Sequence, residues 1–300
     1  MQFIRSSILR SYTVATEIKK IDLPTNPLSH LIITMGFWNA TDEATLAEVL
    51  VFINSISVTH LGATVLYAES EDLAALNCYL FKHAPVLTHS VATDNASRQL
   101  SLIVPFGRNM FNPLECYPAT KKGELTLSID STVPATSLDN ATFNIEAVEL
   151  VGATPTQYLK STLKSVAAPG ATGDVEVDLP IGNRIAALIM YSTTTPADSS
   201  NLYGINASKI LVDNVEYGYA FASAHCMVGD WINKLHTGAR TIAASGEVDA
   251  AHFFAIDFDP AGNDNFLLDT KGKSRVIVRN TMAVNEASKI NVVEIVNVGG

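Results

Sequence analysis

The sequence predicts an all-β protein made of two tandem eight-stranded jelly-roll barrels, each with one short helix. Three observations carry this. First, the chain repeats itself: Ile21-Asp22-Leu23-Pro24 followed by Leu31-Ile32-Ile33-Thr34-Met35 returns as Val177-Asp178-Leu179-Pro180 followed by Ala186-Ala187-Leu188-Ile189-Met190. A period of about 150 residues is too long for a solenoid repeat and matches a whole domain. Second, apolar residues alternate with period two in many short runs separated by Gly, Pro, Asn and Asp. Third, each half contains a single stretch with helical spacing.

The order of the parts is kept across the repeat. The run from Glu48 to Ser55 leads through a turn to Ala63–Tyr67, and Lys209–Asn214 leads to Tyr217–Phe221. Each reads as a strand pair around an Asn/Asp turn, whose side chains bond their own backbone and tolerate positive φ. Helices are expected next, over Glu71–His83, with Leu73, Leu76, Leu80 and Phe81 on one side, and over Gly229–Arg240, with Trp231, Ile232 and Leu235. Strands resume at Leu100–Phe106, Glu124–Ile129 and Ile145–Leu150, answered by His252–Phe258, Ser274–Arg279 and Ile290–Ile295.

Roughly eight strands in about 130 residues match a jelly roll, in which two Greek keys fold into facing sheets. An immunoglobulin-type sandwich has fewer strands and, in antibody domains, a Cys and Trp signature that does not occur here. The domains expected are an N-terminal arm at 1–16, a first roll at 17–153, a linker at 154–172 with a short helix over Gln157–Val166, and a second roll at 173–300.

Composition narrows the function. Hydrophobic residues make up 47% and charged residues 17%, a low charge fraction expected either where surface is covered by something else or where a β-sandwich is simply rich in Val, Ile and Thr. The net charge of -10 disfavours extensive direct contact with nucleic acid. The odd, unspaced Cys78, Cys116 and Cys226 read as reduced thiols, and neither a signal peptide nor a long apolar span is expected. The arm is basic within an acidic chain: Phe3, Ile4, Ile8 and Leu9 accompany Arg5 and Arg10, a pattern suited to an anionic membrane or a neighbouring subunit.

No enzyme is expected. GxSxG, P-loop, HExxH and post-strand GxGxxG patterns are absent, and His30, His60, His83, His89, His225, His236 and His252 are scattered singly. A cupin-type enzyme would need clustered histidines on one barrel. The loop Asp257-Phe258-Asp259-Pro260-Ala261-Gly262-Asn263-Asp264 imitates the start of a calcium loop, but Ala261 and Leu268 stand where ligands belong. It reads as a turn, with a structural calcium on Asp257, Asp259 or Asp264 as the alternative; no other cofactor is expected. Trp38 and Trp231 read as packing residues, and Tyr217, Tyr219 and Phe221 as one face of a strand.

The paired openings Asp22-Leu23-Pro24 and Asp178-Leu179-Pro180, each before an apolar strand, resemble the double jelly-roll major capsid proteins of tailless icosahedral viruses with an internal membrane. The stretch Leu179-Pro180-Ile181-Gly182-Asn183-Arg184-Ile185-Ala186-Ala187 is the more specific part, similar to the corticovirus coat protein and to that of the lipid-containing Flavobacterium phage. The resemblance implies a homotrimer of near-hexagonal outline that tiles a virion shell assembled in the host cytoplasm. It further implies neighbouring trimers, penton and minor capsid proteins as partners, and an arm (Phe3, Ile4, Arg5, Ile8, Leu9, Arg10) facing the internal viral membrane. The competing function is a tandem β-sandwich binding module for carbohydrate or receptor, such as a phage spike or minor capsid protein, which displays aromatic residues on its loops.

Overall fold

The computed structural model describes residues 1–299 except 41–43, 84, 86, 89–93, 134–137, 195–201, 218–221 and 235–251. The chain divides into two compact units, one running over Met1–Thr162 and taking in the last residues from Val296, the other holding most of the chain from Leu163 to Ile295.

In the first unit the strands are β1 (Gln2–Thr13), β2 (Glu17–Asp22), β3 (Leu28–Asn39), β4 (Ile53–His60), β5 (Ala63–Ala68), β6 (Ser97–Pro105), β7 (Leu125–Ser131) and β8 (Leu138–Val151). One sheet has the order β1-β8-β3-β6, and β2, β7, β4 and β5 lie side by side in the other. The pairs within them are antiparallel, with Ile33 opposite Ile145 and Ile32 opposite Ile103 in the first and Val58 opposite Leu127 in the second. Period-two alternation sends Ile33, Met35, Phe143, Ile145, Leu100 and Leu102 from one sheet, and Ile56, Val58, Leu127 and Ile129 from the other, into the core. Burying each such side chain contributes about 1.5–3 kcal/mol. Phe52 and Phe143 meet with ring centroids 5.9 Å apart.

Helix α1 (Leu46–Val51) occupies part of the run expected to be a strand from Glu48. Its N-terminus is a capping box: the Glu48 amide donates to Thr45 Oγ1 at 3.3 Å and the Thr45 amide to Glu48 Oε2 at 2.8 Å. Helix α2 (Ser70–Phe81) falls where the spacing predicts it and ends on Lys82 in the left-handed region. Among its described residues this unit therefore carries two helices where one was expected.

The second unit repeats the plan. Its strands are β9 (Gln157–Val166, in this unit from Leu163), β10 (Gly173–Asp178), β11 (Arg184–Ser192), β12 (Ile205–Val212), β13 (Val215–Glu216), β14 (Ala222–Ser223), β15 (Phe253–Asp257), β16 (Leu268–Asp269), β17 (Val276–Met282) and β18 (Ser288–Asn297). The neighbours run β9-β18-β11-β15 in one sheet and β10-β17-β12-β13 in the other. These are the same positions as in the first unit, strand for strand. Asp213 and Asn214 form the β12–β13 turn with φ of 51° and 67°, as the Asn/Asp signal predicts. Helix α3 (Ala224–Lys234) starts five residues before the expected Gly229; the expected end at Arg240 lies outside the described residues. Its Met227 and Val228 cap a core of Leu188, Met190, Ile210, Phe254, Val278 and Ile290.

Two expectations change together. Within the segment expected as an arm at 1–16, Gln2–Thr13 is a strand hydrogen-bonded along β8. Gln157–Val166 is not a helix but β9. Both are the opening strand of a roll, placed beside its closing strand.

The repeat extends to a polar latch. Asn26 Nδ2 donates to Glu149 Oε2 at 2.7 Å, and Asn183 Nδ2 donates to Glu294 Oε1 at 2.8 Å. In each unit a buried glutamate of the closing strand holds the loop that follows Leu-Pro.

Candidate assembly surfaces

With the core accounted for, chemistry must come from what the rolls display. On β1, Phe3 is 63% exposed and Ile4 is also exposed, while Ile8 and Leu9 are half-buried. Arg5 forms an ion pair with Glu146, and Arg10 Nε donates to Ser7 Oγ at 3.0 Å on the surface. Ser6 Oγ donates to Glu149 at 2.8 Å. The segment is thus tied down by its side chains as well as its backbone.

The Phe3 ring packs edge-on against Phe111 at 5.6 Å, and this leads to a loop that the sequence reading passed over. Residues 107–117 present Met110, Phe111 and Leu114 to solvent, with Leu114 57% exposed. Phe111 has φ of 63°, a costly backbone for a bulky residue. Its amide donates to Ser29 Oγ at 2.8 Å, and Ser29 Oγ lies 2.9 Å from His30 Nδ1. Below the tip is a clamp. Glu115 accepts from the Arg108 amide at 2.7 Å, from Arg108 Nε at 2.9 Å, from Arg108 Nη2 at 2.6 Å and from Gln157 Nε2 at 3.0 Å.

Gly107 is required there, since a Cβ at that position would sit 2.2 Å from the Glu115 carbonyl oxygen. Burial alone would raise the Glu115 carboxyl, but the hydrogen bonds and charge of Arg108 outweigh it and hold the group below the usual carboxylate range. The legible signal was an apolar Met-Phe pair and Leu114 inside an Asn- and Pro-rich turn, where no core was available to them.

The outward faces of the two rolls have diverged. On β4 and β7, Ser57 stands opposite Ser128 and Thr59 opposite Thr126. On β12 and β17, the matching strands of the second roll, Lys209 stands opposite Arg279, and Arg279 Nε donates to Glu176 of β10 at 3.0 Å.

The acidic loop closes on itself. Asp257 Oδ1 accepts from the Asp259 amide at 2.9 Å, Asp259 Oδ1 accepts from the Asn263 and Asp264 amides at 3.0 Å each, and Asp264 meets Arg184 at 3.4 Å. Among the described residues no group of three or more His, Cys, Asp and Glu side chains could hold a metal. The histidines stay apart: His30 is buried, with burial and then Arg5 lowering its pKa to about 4, and His60 sits 3.7 Å from Glu124. His89 and His236 lie outside the described residues.

Trp231 is buried as expected, whereas Trp38 is 42% exposed on β3 and is not core. Tyr217 is likewise 42% exposed; Tyr219 and Phe221 lie outside the described residues. Cys78 and Cys116 are buried and Cys226 is exposed, all free. No helix among the described residues is long and apolar enough to cross a membrane.

What decides the fold is the strand order, two sheets per unit with the closing strand beside the opening one, repeated twice. The fold is a double jelly roll. Solved structures agree over the whole chain. The STIV major capsid protein, from Sulfolobus turreted icosahedral virus, superposes with a TM-score of 0.73 at 14% identity, covering 99% of this chain and 97% of that one. The major capsid protein of bacteriophage PM2 gives 0.65 at 13%, covering 99% and 98%. The PBCV-1 virus capsid gives 0.60 at 9%, covering 98% and 94%. No protein-family model and no curated protein sequence matches the chain. The double jelly roll is thus shared at identities where sequence alone shows little beyond strand spacing.

Proposed function

We propose that this protein is the major coat protein of an icosahedral virus, acting as a homotrimer whose six rolls approximate a hexagon and tile the shell. The observation that carries the reading is the whole-chain likeness to double jelly-roll capsid proteins, in which neither chain has a large unmatched part. Three features of this chain support it. Duplication supplies two rolls with like cores and unlike outer faces, so a threefold assembly offers six similar but non-identical sides. The low charge fraction of 17% suits surfaces that become covered. The exposed Phe3, Met110, Phe111 and Leu114 supply apolar surface for such contacts.

Neighbouring trimers, penton and minor capsid proteins, and an internal membrane are the partners of the same reading. Within the opening segment, Arg10 is the cation offered to anionic lipid, because Arg5 is engaged by Glu146. Light scattering of the purified protein tests the proposal. A trimer supports it; a protein that stays monomeric at high concentration and binds carbohydrate points instead to the tandem binding module.

A further inference from the structure

The two opening strands differ in what lies along their free edge. β9 has a second neighbour: β5 runs parallel to it, with Leu66 opposite Ser161 and Tyr67 opposite Thr162, all four residues lying in the first compact unit. On this covered pair, Leu159, Ser161, Val65 and Leu66 are buried. β1 is the counterpart of β9, yet among the described residues its sole strand partner is β8. It leaves Phe3 and Ile4 exposed.

The counterpart of β5 in the second roll is β13, at the end of its sheet beside β12. Among the described residues it too is an exposed edge, with Val215 68% accessible, Tyr217 flanking it and Glu216 between them paired with Lys209. The chain thus contains one covered combination of these edges and the two uncovered halves of a second. Edges left open along a flat strand recruit another strand, and natural proteins otherwise blunt them. β1 is flat where it matters, because its pairing with β8 is unbroken from Gln2 to Ser7 and its bulges begin only after Ser7.

We infer that the edge of β1 over Gln2–Ser7 is an interface for a second copy of this chain, whose β13 lies parallel to it as β5 lies along β9. The inference rests on the shell reading and deepens it. The contact is heterologous, β1 of one copy to β13 of the next, and with threefold rotation between copies it closes into a ring of three. Parallel pairing places Phe3 beside Val215 on one face and Ile4 beside Glu216 on the other, and removes Phe3 and Val215 from water.

The test is cross-linking between different copies. In a Cys226→Ser background, Phe3→Cys and Val215→Cys chains are co-expressed with different tags and treated with a short bismaleimide; circular dichroism checks that each is folded. Cross-linked dimers carrying both tags, with little product from either variant alone, are expected. An Ile4→Cys and Val215→Cys pair covers the alternative one-residue register. Trimers by light scattering without cross-linking in either pair would overturn this interface and leave the shell reading standing. Protein that is monomeric by light scattering would overturn both.

Discussion

Replacing Glu115 by Gln tests the clamp under the exposed loop. The substitution keeps volume and shape but removes the charge that faces Arg108 at 2.6 Å in a site where both side chains are largely shielded from water. Removing one member of a buried, hydrogen-bonded ion pair costs about 3–5 kcal/mol, because the partner charge stays desolvated. The Arg108 side chain retains 13% exposure and has a route to solvent, which places the expected loss near the lower end, about 3 kcal/mol. For a unit of this size that corresponds to a fall in melting temperature of about 6–12 °C.

Calorimetry reads the loss directly, and a double-mutant cycle checks its origin. The paired change Arg108→Met and Glu115→Leu removes both charges and should cost much less than Glu115→Gln alone. A Glu115→Gln protein within about 0.5 kcal/mol of wild type would refute the clamp, since a surface substitution does no more than that. The pH dependence has a definite sign. The folded-state pKa of Glu115 lies below its unfolded value, so the contribution is complete above the ordinary carboxylate pKa and is lost as pH falls through the folded value. The gap between wild type and Glu115→Gln should therefore narrow on acidification.

His30 should add to the acid sensitivity, because it is neutral when folded, with a pKa of about 4, and protonates more readily when unfolded. Stability should fall as pH drops from about 6.5 towards 4, and His30→Gln should flatten that part of a denaturation series; an unchanged slope would place the proton uptake elsewhere. Asn183→Ala should cost about 1–3 kcal/mol by leaving Glu294 short of a donor, and Asn26→Ala should act alike in the first roll. Chemical denaturation of the two variants measures both, and no loss in either would mean that the latch is ornamental. Under native conditions one thiol in three, Cys226, should react with maleimide, since burial pushes Cys78 up to about 12 and Cys116 up to about 11. Fast labelling of Cys78 before unfolding would contradict that packing.

The duplication was legible because core strands keep their apolar alternation while loops drift. The matched runs at Leu31–Met35 and Ala186–Met190, and at Ile145–Leu150 and Ile290–Ile295, are central strands β3, β11, β8 and β18. What escaped has a common cause. β1 is an edge strand with little burial, so its sequence carries no clean alternation and looks like an arm. β9 has partial burial on both faces, which blurs period two into something helical. Helix α1 was hidden because Val49, Leu50 and Phe52 look like strand residues, although Thr45 and Glu48 spell out a capping box. The exposed loop tip escaped for the opposite reason: Phe111 sits in a left-handed conformation that propensity assigns to Gly or Asn. The clamp joins Arg108 and Glu115, seven residues apart, to Gln157, and no local pattern announces it.

The central claim is that a duplicated roll builds a threefold particle with six similar sides. Class averages of the purified protein by electron microscopy test it most directly. The account predicts particles of trimer mass with a near-hexagonal, six-lobed outline. Two-lobed monomers, or rings of any other copy number, would contradict it.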